Sequence, residues 1–315
     1  MLQTFLTSME SILPIIIMIL VGFGMNRAGW IDDKFGNAIT KILLNVSLPC
    51  YMIWNLMKNF DREKFLSMAG GILIPILSMG IMYGLAIVIS RLMKVPRSHR
   101  GIFRSIFFCS NTIFIGLPIN LELFGQESVP YVLLYYIVNT TYFWTIGNYE
   151  ISCDGESTRN VSFFSKATAK KIFTPALLGF MVGILLILLK IRLPSFVMDT
   201  LDYLGFPTTP FALIFIGLVL GSIGFSRLKF DRETLVLLLA RFVLSPALVI
   251  LLLHFIHVPP LMAKVFIIQS AMPAMTNTSI VAKGYGADYP YASVATVITT
   301  LACVIAIPLL RTVIQ

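Results

Sequence analysis

Charged residues are scarce in this chain, at 12% of its 315 residues, whereas hydrophobic residues make up 57%. Soluble domains carry about 25% charged residues, so the composition excludes a soluble domain and predicts an all-α integral membrane protein. The net charge of +9 is then expected to set orientation in the bilayer and not to attract nucleic acid. Met1–Glu10 contains no Lys or Arg before the apolar stretch, so the N-terminus does not resemble a signal peptide.

Residue patterns typical of catalysis are missing as well. The four cysteines have no spacing that suggests a disulfide framework or a zinc site. The chain has no H-E-x-x-H sequence and no phosphate-binding loop, so we expect neither an intramembrane enzyme nor an ATP-driven pump. The apolar segments leave no room for the soluble domain of a membrane sensor, and no cofactor is predicted.

Acidic residues are missing from the middle of the apolar segments. Glu122 and Asp202 fall toward the outer ends of two segments, and Glu150 falls toward the inner end of another. A proton relay needs an ionisable group within the membrane, so this distribution counts against a cation/proton exchanger. Sodium could be held by backbone carbonyls and by Asn or Thr oxygens. The sequence therefore leaves open whether H+ or Na+ is the coupling ion.

Long apolar segments predict ten membrane-spanning helices. Each has about 20 residues or more, which is enough to cross a hydrocarbon core of roughly 30 Å. The predicted spans, numbered 1 to 10, are residues 11–29, 37–57, 69–92, 101–123, 129–150, 173–191, 197–222, 234–256, 261–283 and 289–310. Gly179–Gly183 and Gly217–Gly221 have the GxxxG spacing that is typical of close helix packing.

Three short matches recur at a spacing of 161 residues. They are Pro14 with Pro175, Pro49 with Pro210, and Phe124-Gly125 with Tyr285-Gly286. Chance is the alternative, because proline is common in such segments, but the shared spacing favours a duplication. A five-span repeat inserts its second copy upside down, as in many secondary transporters. We therefore expect a first repeat at 1–150, a cytoplasmic linker at 151–172 and an inverted second repeat at 173–315.

Basic residues in the loops predict the orientation. The loops after spans 1, 3, 5, 7 and 9 hold 15 Lys and Arg residues, and the opposite side holds 6. The positive-inside rule then places both termini outside the cell and the 151–172 loop in the cytoplasm. We expect a multi-pass protein of the cell (plasma) membrane whose surroundings are the lipid bilayer.

Spans 4 and 9 each carry polar residues and a proline near their middle. The residues concerned are Ser110, Asn111, Thr112 and Pro118 in span 4, and Pro273, Thr276, Asn277 and Thr278 in span 9. Polar side chains compete for backbone groups, and Pro118 cannot donate to the carbonyl of Phe114, so both helices are expected to break. A break exposes a new helix N-terminus, which binds anions. The two spans enter from opposite faces of the membrane, so their new N-termini meet near the midplane and predict one carboxylate site. The alternative is that both spans are only kinked and that their polar residues hold helices together.

The same stretches carry a family resemblance. Ser110–Pro118 (SNTIFIGLP) resembles the span-4 motif of the auxin efflux carrier family, and Met272–Gly286 resembles its span-9 motif. Leu43–Pro49 (LLNVSLP) is similar to the family's second span. The family includes bacterial malate and malonate permeases and plant PIN-type auxin exporters.

The resemblance implies two inverted five-helix repeats in which broken helices 4 and 9 cross, similar to bile-acid/sodium symporters and NhaA. It also implies a scaffold domain, an elevator-like transport domain and a homodimer. PIN-type proteins have a proline where this chain has Ser110, and they have a long loop where this chain has 151–172. Both differences favour a bacterial-type carrier of small organic anions over an auxin transporter, with a cation/proton exchanger as the alternative.

Other polar residues of the spans are further candidates. The resemblance implies that Asn45 and Ser47 of span 2 face the substrate, although helix packing is equally compatible with them. In span 5, Asn139 is the best candidate. Lys41 could attract an anion, but its long side chain is equally able to reach the headgroups. Arg241 lies within span 8, where a charged side chain needs a partner. That partner is either the substrate or another part of the protein, in which case the role of Arg241 is structural.

Overall fold

The computed structural model describes residues 2–59, 61–63, 69–155, 175–222 and 231–314. All regular secondary structure within those ranges is helical. Most of the predicted 151–172 linker lies outside them. So do several basic residues that were counted for orientation, namely Lys64, Arg159, Lys166, Lys170, Lys171, Arg227 and Lys229.

The helices before the linker fall on predicted spans 1 to 5. They are α1 (Leu2–Arg27), α2 (Asp33–Ile42), α3 (Leu48–Asn59), α4 (Leu73–Leu92), α5 (Arg100–Phe108), α6 (Gly116–Phe124), α7 (Val129–Tyr142) and α8 (Asn148–Ser152). A π-helical turn at Leu43–Ser47 joins α2 to α3, and another at Phe143–Gly147 joins α7 to α8. Span 4 is therefore the only one of these five in which the described backbone leaves the helical path between two helices.

The helices after the linker fall on predicted spans 6 to 10. They are α9 (Pro175–Leu188), α10 (Ser195–Gly205), α11 (Thr208–Ser222), α12 (Arg232–Leu239), α13 (Ser245–Leu253), α14 (Pro260–Ser270), α15 (Asn277–Tyr285) and α16 (Tyr289–Val313). A π-helical turn at Ala240–Leu244 joins α12 to α13. Span 9 is divided between α14 and α15, as span 4 is between α5 and α6.

Among the residues that the structure describes, four helical stretches are long and apolar enough to cross a membrane. They are Gly70–Leu92, Ser195–Ser222, Arg232–Leu253 and Tyr289–Val313. Shorter apolar helices occur at Ile16–Arg27, Leu177–Leu188 and Pro260–Ser270. These findings agree with an all-helical membrane protein, while the count of ten spans and the inverted repeat stay predictions.

The two interrupted spans follow the same spacing as the sequence matches. Gly116–Phe124 and Asn277–Tyr285 are helices of equal length that lie 161 residues apart. Each ends at a glycine with a left-handed φ, 72° at Gly125 and 70° at Gly286. Only glycine adopts this φ without strain, and it is a common way to end a helix. The two halves of the chain therefore break and end corresponding helices at corresponding residues.

The break in span 4 precedes its proline. Cys109 is extended, with φ −97° and ψ 144°, and the helix resumes at Gly116. Pro118 lies in the first turn of α6, where a missing N–H costs nothing because no intrahelical acceptor is available there. The side chain of Asn111 accepts a hydrogen bond from Phe114 N at 3.2 Å, which satisfies one donor just ahead of the new helix. The polar residues, and not Pro118, thus define the break.

Glycines bring two helix pairs into close contact. A Cβ at Gly217 would lie 2.1 Å from the Ile19 carbonyl oxygen, so α1 packs directly on α11. A Cβ at Gly179 would lie 2.7 Å from the Cα of Pro49, so α9 packs directly on α3. Both glycines belong to the GxxxG pairs, and the close packing predicted from that spacing is confirmed.

Candidate functional site

The two helix breaks are hydrogen-bonded to each other. Asn111 donates its backbone N–H to Pro273 O at 2.8 Å and its side-chain Nδ2 to Thr276 Oγ1 at 2.9 Å. From the other side, Gln269 donates Nε2 to Thr112 O at 3.2 Å. Exposed backbone groups at membrane depth must be satisfied within the protein, and here each break supplies partners for the other.

Neighbouring helices brace each break. Asn139 on α7 accepts a hydrogen bond from Ser110 N at 2.9 Å and donates one to Ser110 O at 2.8 Å, and it contacts Thr112 Oγ1 at 3.4 Å. On α16, Thr299 Oγ1 accepts from Ala274 N at 3.1 Å. These side chains replace helical hydrogen bonds that the breaks have lost. Asn139 thus stabilises the backbone of the span-4 break. Thr299, which was not predicted from the sequence, stabilises the span-9 break in the same way.

A cavity of about 130 Å³ opens where the breaks meet. Four of the predicted site residues line it, two from each break. Three further lining residues also come from the breaks, three come from α7 and the π-helical turn after it, and one comes from the π-helical turn at Leu43–Ser47. The lining residues are Leu44, Asn111, Thr112, Ile113, Phe114, Tyr136, Thr140, Trp144, Met275, Thr276 and Asn277. None of the described residues that line this cavity is ionisable at neutral pH, so its polarity comes from amides, hydroxyls and backbone.

Several polar groups on this lining have no protein partner among the described residues. The backbone N–H groups of Ile113, Met275 and Asn277 make no hydrogen bond with them. The hydroxyl of Thr140 is buried and likewise unpartnered. Ile113 and Thr140 are buried, whereas Met275 and Asn277 are partly buried. A buried polar group without a partner costs about 1–3 kcal/mol, so a solute that accepts hydrogen bonds would find donors here. A carboxylate accepts only, and the starts of α6 and α15 favour negative charge.

The remaining predicted site residues lie elsewhere. Ser110, Ser47 and Thr278 are buried but are not part of the cavity lining, and the Pro273 carbonyl accepts a hydrogen bond from Asn111 N. Asn45 is exposed and donates Nδ2 to Lys41 O at 2.7 Å, within its own helix. Their part in substrate binding stays a prediction. Tyr136, Thr140 and Trp144 were not singled out as best candidates, because the sequence does not show which side of span 5 faces the breaks.

The sequence leaves open the roles of four ionisable residues, and the structure shows a different environment for the exposed pair than for the buried pair. Lys41 and Glu122 are exposed and do not line the cavity. Glu150 is nearly buried and accepts a hydrogen bond from Arg104 Nη1 at 2.9 Å. Arg241 is fully buried, and its guanidinium donates to main-chain carbonyls at both breaks. Neither Glu150 nor Arg241 reaches the cavity lining.

A comparison with protein families decides the identification. A family model described as membrane transport protein matches residues 7–311 of the chain. The chain belongs to this family, the auxin efflux carriers. The family membership predicted from Ser110–Pro118 and Met272–Gly286 is thereby confirmed. Membership makes the chain a membrane transport protein.

Two archaeal members of the family match nearly end to end. An uncharacterized transporter of Methanocaldococcus jannaschii is 25% identical over 300 residues, which cover 93% of this chain and 94% of the relative. An uncharacterized transporter of Methanothermobacter thermautotrophicus is 22% identical over 309 residues, which cover 97% of this chain and 98% of the relative. The similarity therefore extends over both halves of the chain and includes both breaks.

Proposed function

We propose that the chain is a secondary active transporter of small organic anions, with malate-like or malonate-like carboxylates as substrates. One observation carries the proposal. The cavity lies at the two helix breaks. Ile113, just before α6, and Met275 and Asn277, at the beginning of α15, present N–H groups there that have no hydrogen-bond acceptor among the described residues. Helix N-termini bind anions through such groups and through the helix dipole. The amides of Asn111 and Asn277 and the hydroxyls of Thr112 and Thr276 add neutral polar partners beside them.

The volume of the cavity supports a small substrate. A single water molecule needs about 10–15 Å³ of such space, so a cavity of about 130 Å³ accommodates several water-sized groups. A three- or four-carbon carboxylate has a size of that order. Auxin-like acids, which carry an additional ring system, are the second choice for this conformation. The aromatic side chains of Tyr136 and Trp144 also line the cavity and suit the carbon skeleton of either class.

The chemistry of the lining favours an anion over a cation. A cation/proton exchanger uses carboxylates at its site, and no described lining residue carries one. Glu150, the buried acid nearest to the cytoplasmic end of span 5 in our topology, is already paired with Arg104. We therefore keep the exchanger only as the alternative outcome of the transport assay below.

The proposed architecture is ten spans in two inverted five-helix repeats, with helices 4 and 9 crossing at the substrate. The equal spacing of the two breaks supports this duplication, and so does a further pair of residues with positive φ, Gly29 at 72° and Lys190 at 56°, also 161 residues apart. The 1–150 and 173–315 halves would then have opposite orientations around the 151–172 linker. We place both termini outside the plasma membrane and the linker in the cytoplasm.

The proposed mechanism is elevator-type alternating access. The close packing of α1 on α11 and of α9 on α3 supports a rigid scaffold made of spans 1, 2, 6 and 7. The interrupted spans, with the helices that brace them through Asn139 and Thr299, form the part that moves with its substrate. A homodimer would hold two such scaffolds together, and an H+ or Na+ gradient is the conventional driving force.

The first test is a binding and transport assay of the purified chain. We expect malonate or malate, but not chloride at equal ionic strength, to raise the midpoint of thermal unfolding, because a ligand stabilises the state that binds it. In liposomes the same carboxylates should exchange across the membrane. A chain that moves cations or protons equally well with and without organic acids would instead support the exchanger.

Variants of the two breaks locate the binding site. Asn111→Ala and Asn277→Ala should each weaken carboxylate affinity about fivefold to tenfold, because each removes one amide beside the anion. Asn59→Ala is the matched control, since Asn59 is an amide residue at the end of α3 that does not line the cavity. Unchanged affinity and transport in both cavity variants would refute a carboxylate site at this position.

A further inference from the structure

Arg241 is the largest fully buried side chain of the described residues, with no exposed surface. It has no salt bridge to an acidic side chain among them. Its donors go to main-chain oxygens: Nε and Nη2 to Met272 O at 3.0 and 2.7 Å, Nη2 to Ser270 O at 2.8 Å, and Nη1 to Phe107 O at 3.4 Å. Burying an unpaired charge costs several kcal/mol, so these oxygens must compensate it.

These oxygens belong to the negative ends of two half-helices. Ser270 is the last residue of α14, Met272 lies in the break that follows, and Phe107 lies in the last turn of α5. The final carbonyls of a helix have no intrahelical partner and carry its negative dipole end. The crossing therefore carries two chemically different sets of backbone groups: N–H groups of Ile113, Met275 and Asn277 at the cavity, and the carbonyl oxygens at the ends of α5 and α14 that accept from Arg241.

Carbonyl oxygens at the ends of broken helices are the ligands that coupling cations use in secondary transporters. Here a guanidinium group occupies such a cluster and bonds to both half-helices at once. Unlike a solution cation, it is tethered to α12 and α13 through the π-helical turn at Ala240–Leu244 and cannot dissociate. Arg241 does not line the 130 Å³ cavity, so its guanidinium leaves the anion site free.

We propose that Arg241 takes the place of a coupling Na+ as a built-in cation, so that the chain holds its crossing together and binds its anion without Na+. The proposal deepens the proposed function, on which its transport part rests. It assigns a binding site for a monovalent cation to Phe107 O, Ser270 O and Met272 O, a site that becomes available only when the guanidinium is removed. The proposal also predicts that Na+ is not the coupling ion.

The wild-type protein tests the proposal without any mutation. Thermal unfolding of the purified chain is measured in NaCl, LiCl, KCl and choline chloride at equal ionic strength. The four midpoints should agree within about 1 °C, because no cation site is open. In liposomes that contain a carboxylate, an imposed Na+ gradient should leave the flux unchanged. A midpoint that rises specifically with Na+, or a flux that follows the Na+ gradient, would overturn the proposal.

Substitution of Arg241 supplies the positive test. Arg241→Ala opens the carbonyl cluster, so its unfolding midpoint should rise by about 3 °C or more with millimolar methylguanidinium or with Na+, but not with choline. Arg241→Lys retains one ammonium and should stay insensitive to the added cations. Arg232→Ala removes an exposed arginine at the beginning of the same helical stretch, Arg232–Leu253, and is the matched control. A purely structural arginine would give no cation-specific recovery, and that result would contradict the proposal.

The two proposals fail in different ways. If the cation results are as expected but no carboxylate changes the unfolding midpoint or crosses the liposome membrane, the anion substrate is wrong and the built-in cation is retained. If carboxylates bind and exchange but require Na+ in the wild-type protein, the built-in cation is wrong and the anion transporter is retained. Should Arg241→Ala not fold, the wild-type measurements still decide, because a Na+ response there excludes the proposal and its absence supports it.

Discussion

Asn139 holds the backbone of Ser110 with both atoms of its side-chain amide. Its Oδ1 accepts from Ser110 N at 2.9 Å, and its Nδ2 donates to Ser110 O at 2.8 Å. Both residues are fully buried, so water cannot replace either bond. Ser110 lies directly before Asn111, which joins the two breaks, and the Asn139 amide therefore fixes the backbone on which the cavity is built.

We predict that Asn139→Ala and Asn139→Asp both destabilise the folded protein by about 1–3 kcal/mol. Alanine leaves Ser110 N and O without partners, and aspartate keeps the acceptor but directs a second oxygen at Ser110 O. The measurement is thermal or chemical unfolding in detergent. Thr141→Ala on the same helix is the control, because Thr141 Oγ1 only returns a hydrogen bond to Ile137 O one turn back. An aspartate variant as stable as the wild-type protein would contradict the bidentate role.

A variant of Thr140 can separate carboxylate binding from the stability of the folded protein. Its hydroxyl is buried, lines the cavity and has no partner among the described residues. Thr140→Val keeps the shape of the side chain and removes a donor that only a ligand can use. We expect stability that is unchanged or slightly higher, because no protein hydrogen bond is lost, together with carboxylate affinity about fivefold weaker. Isothermal titration with malonate measures the affinity, and a variant that loses stability but not affinity would refute this assignment.

Arg104 and Glu150 form an ion pair whose side chains are 13% and 10% exposed, with 2.9 Å between Nη1 and Oε2. Removing one partner leaves a nearly buried charge, so Glu150→Ala should destabilise the protein by about 3–5 kcal/mol. The double variant Arg104→Ala/Glu150→Ala should recover much of that loss. The four unfolding free energies form a double-mutant cycle, and strictly additive effects would show that the pair contributes no coupling energy.

The carboxyl group of Asp154, which lies beyond α8, predicts a pH dependence. Burial raises its pKa from 3.8 to about 6, although hydrogen bonds from Gly101 N and Ile102 N act in the opposite direction. Between about pH 4 and pH 6 the folded protein then binds more protons than the unfolded chain, so the contribution of Asp154 to stability falls as the pH rises through this window.

The matched variant isolates this effect. Asp154→Asn cannot titrate, so the stability of the wild-type protein relative to the variant should decrease from pH 4 to pH 6 and stay level above about pH 7. Chemical unfolding at a series of pH values, with both proteins in the same detergent, measures the difference. A difference that rises with pH in this window would mean that the hydrogen bonds outweigh burial and lower the pKa instead.

Local chemistry made the two breaks predictable, because polar residues beside proline weaken a helix wherever it lies. The position of the first break was less predictable. Pro118 is the obvious helix breaker in the sequence, yet it lies in the first turn of α6, where its missing N–H costs nothing. In span 5, Asn139 was the natural candidate for the cavity, but the neighbouring Thr140 lines it. Adjacent helix residues point about 100° apart, and only packing decides which of them faces the site.

The sequence by itself determined that the chain is a helical membrane transport protein and that spans 4 and 9 are interrupted. Composition and local backbone preferences are sufficient for the helical membrane protein and for the interruptions, because a helix satisfies its own backbone in lipid and the interrupting residues lie beside the interruption. The transport role follows from the match to the family. The tertiary structure alone decided what each break contacts: Asn111 with Pro273 and Thr276, and Arg241 with the carbonyl ends of α5 and α14. Such partners are more than 100 residues apart in most cases, and their pairing depends on helix rotation and depth, which no local pattern specifies.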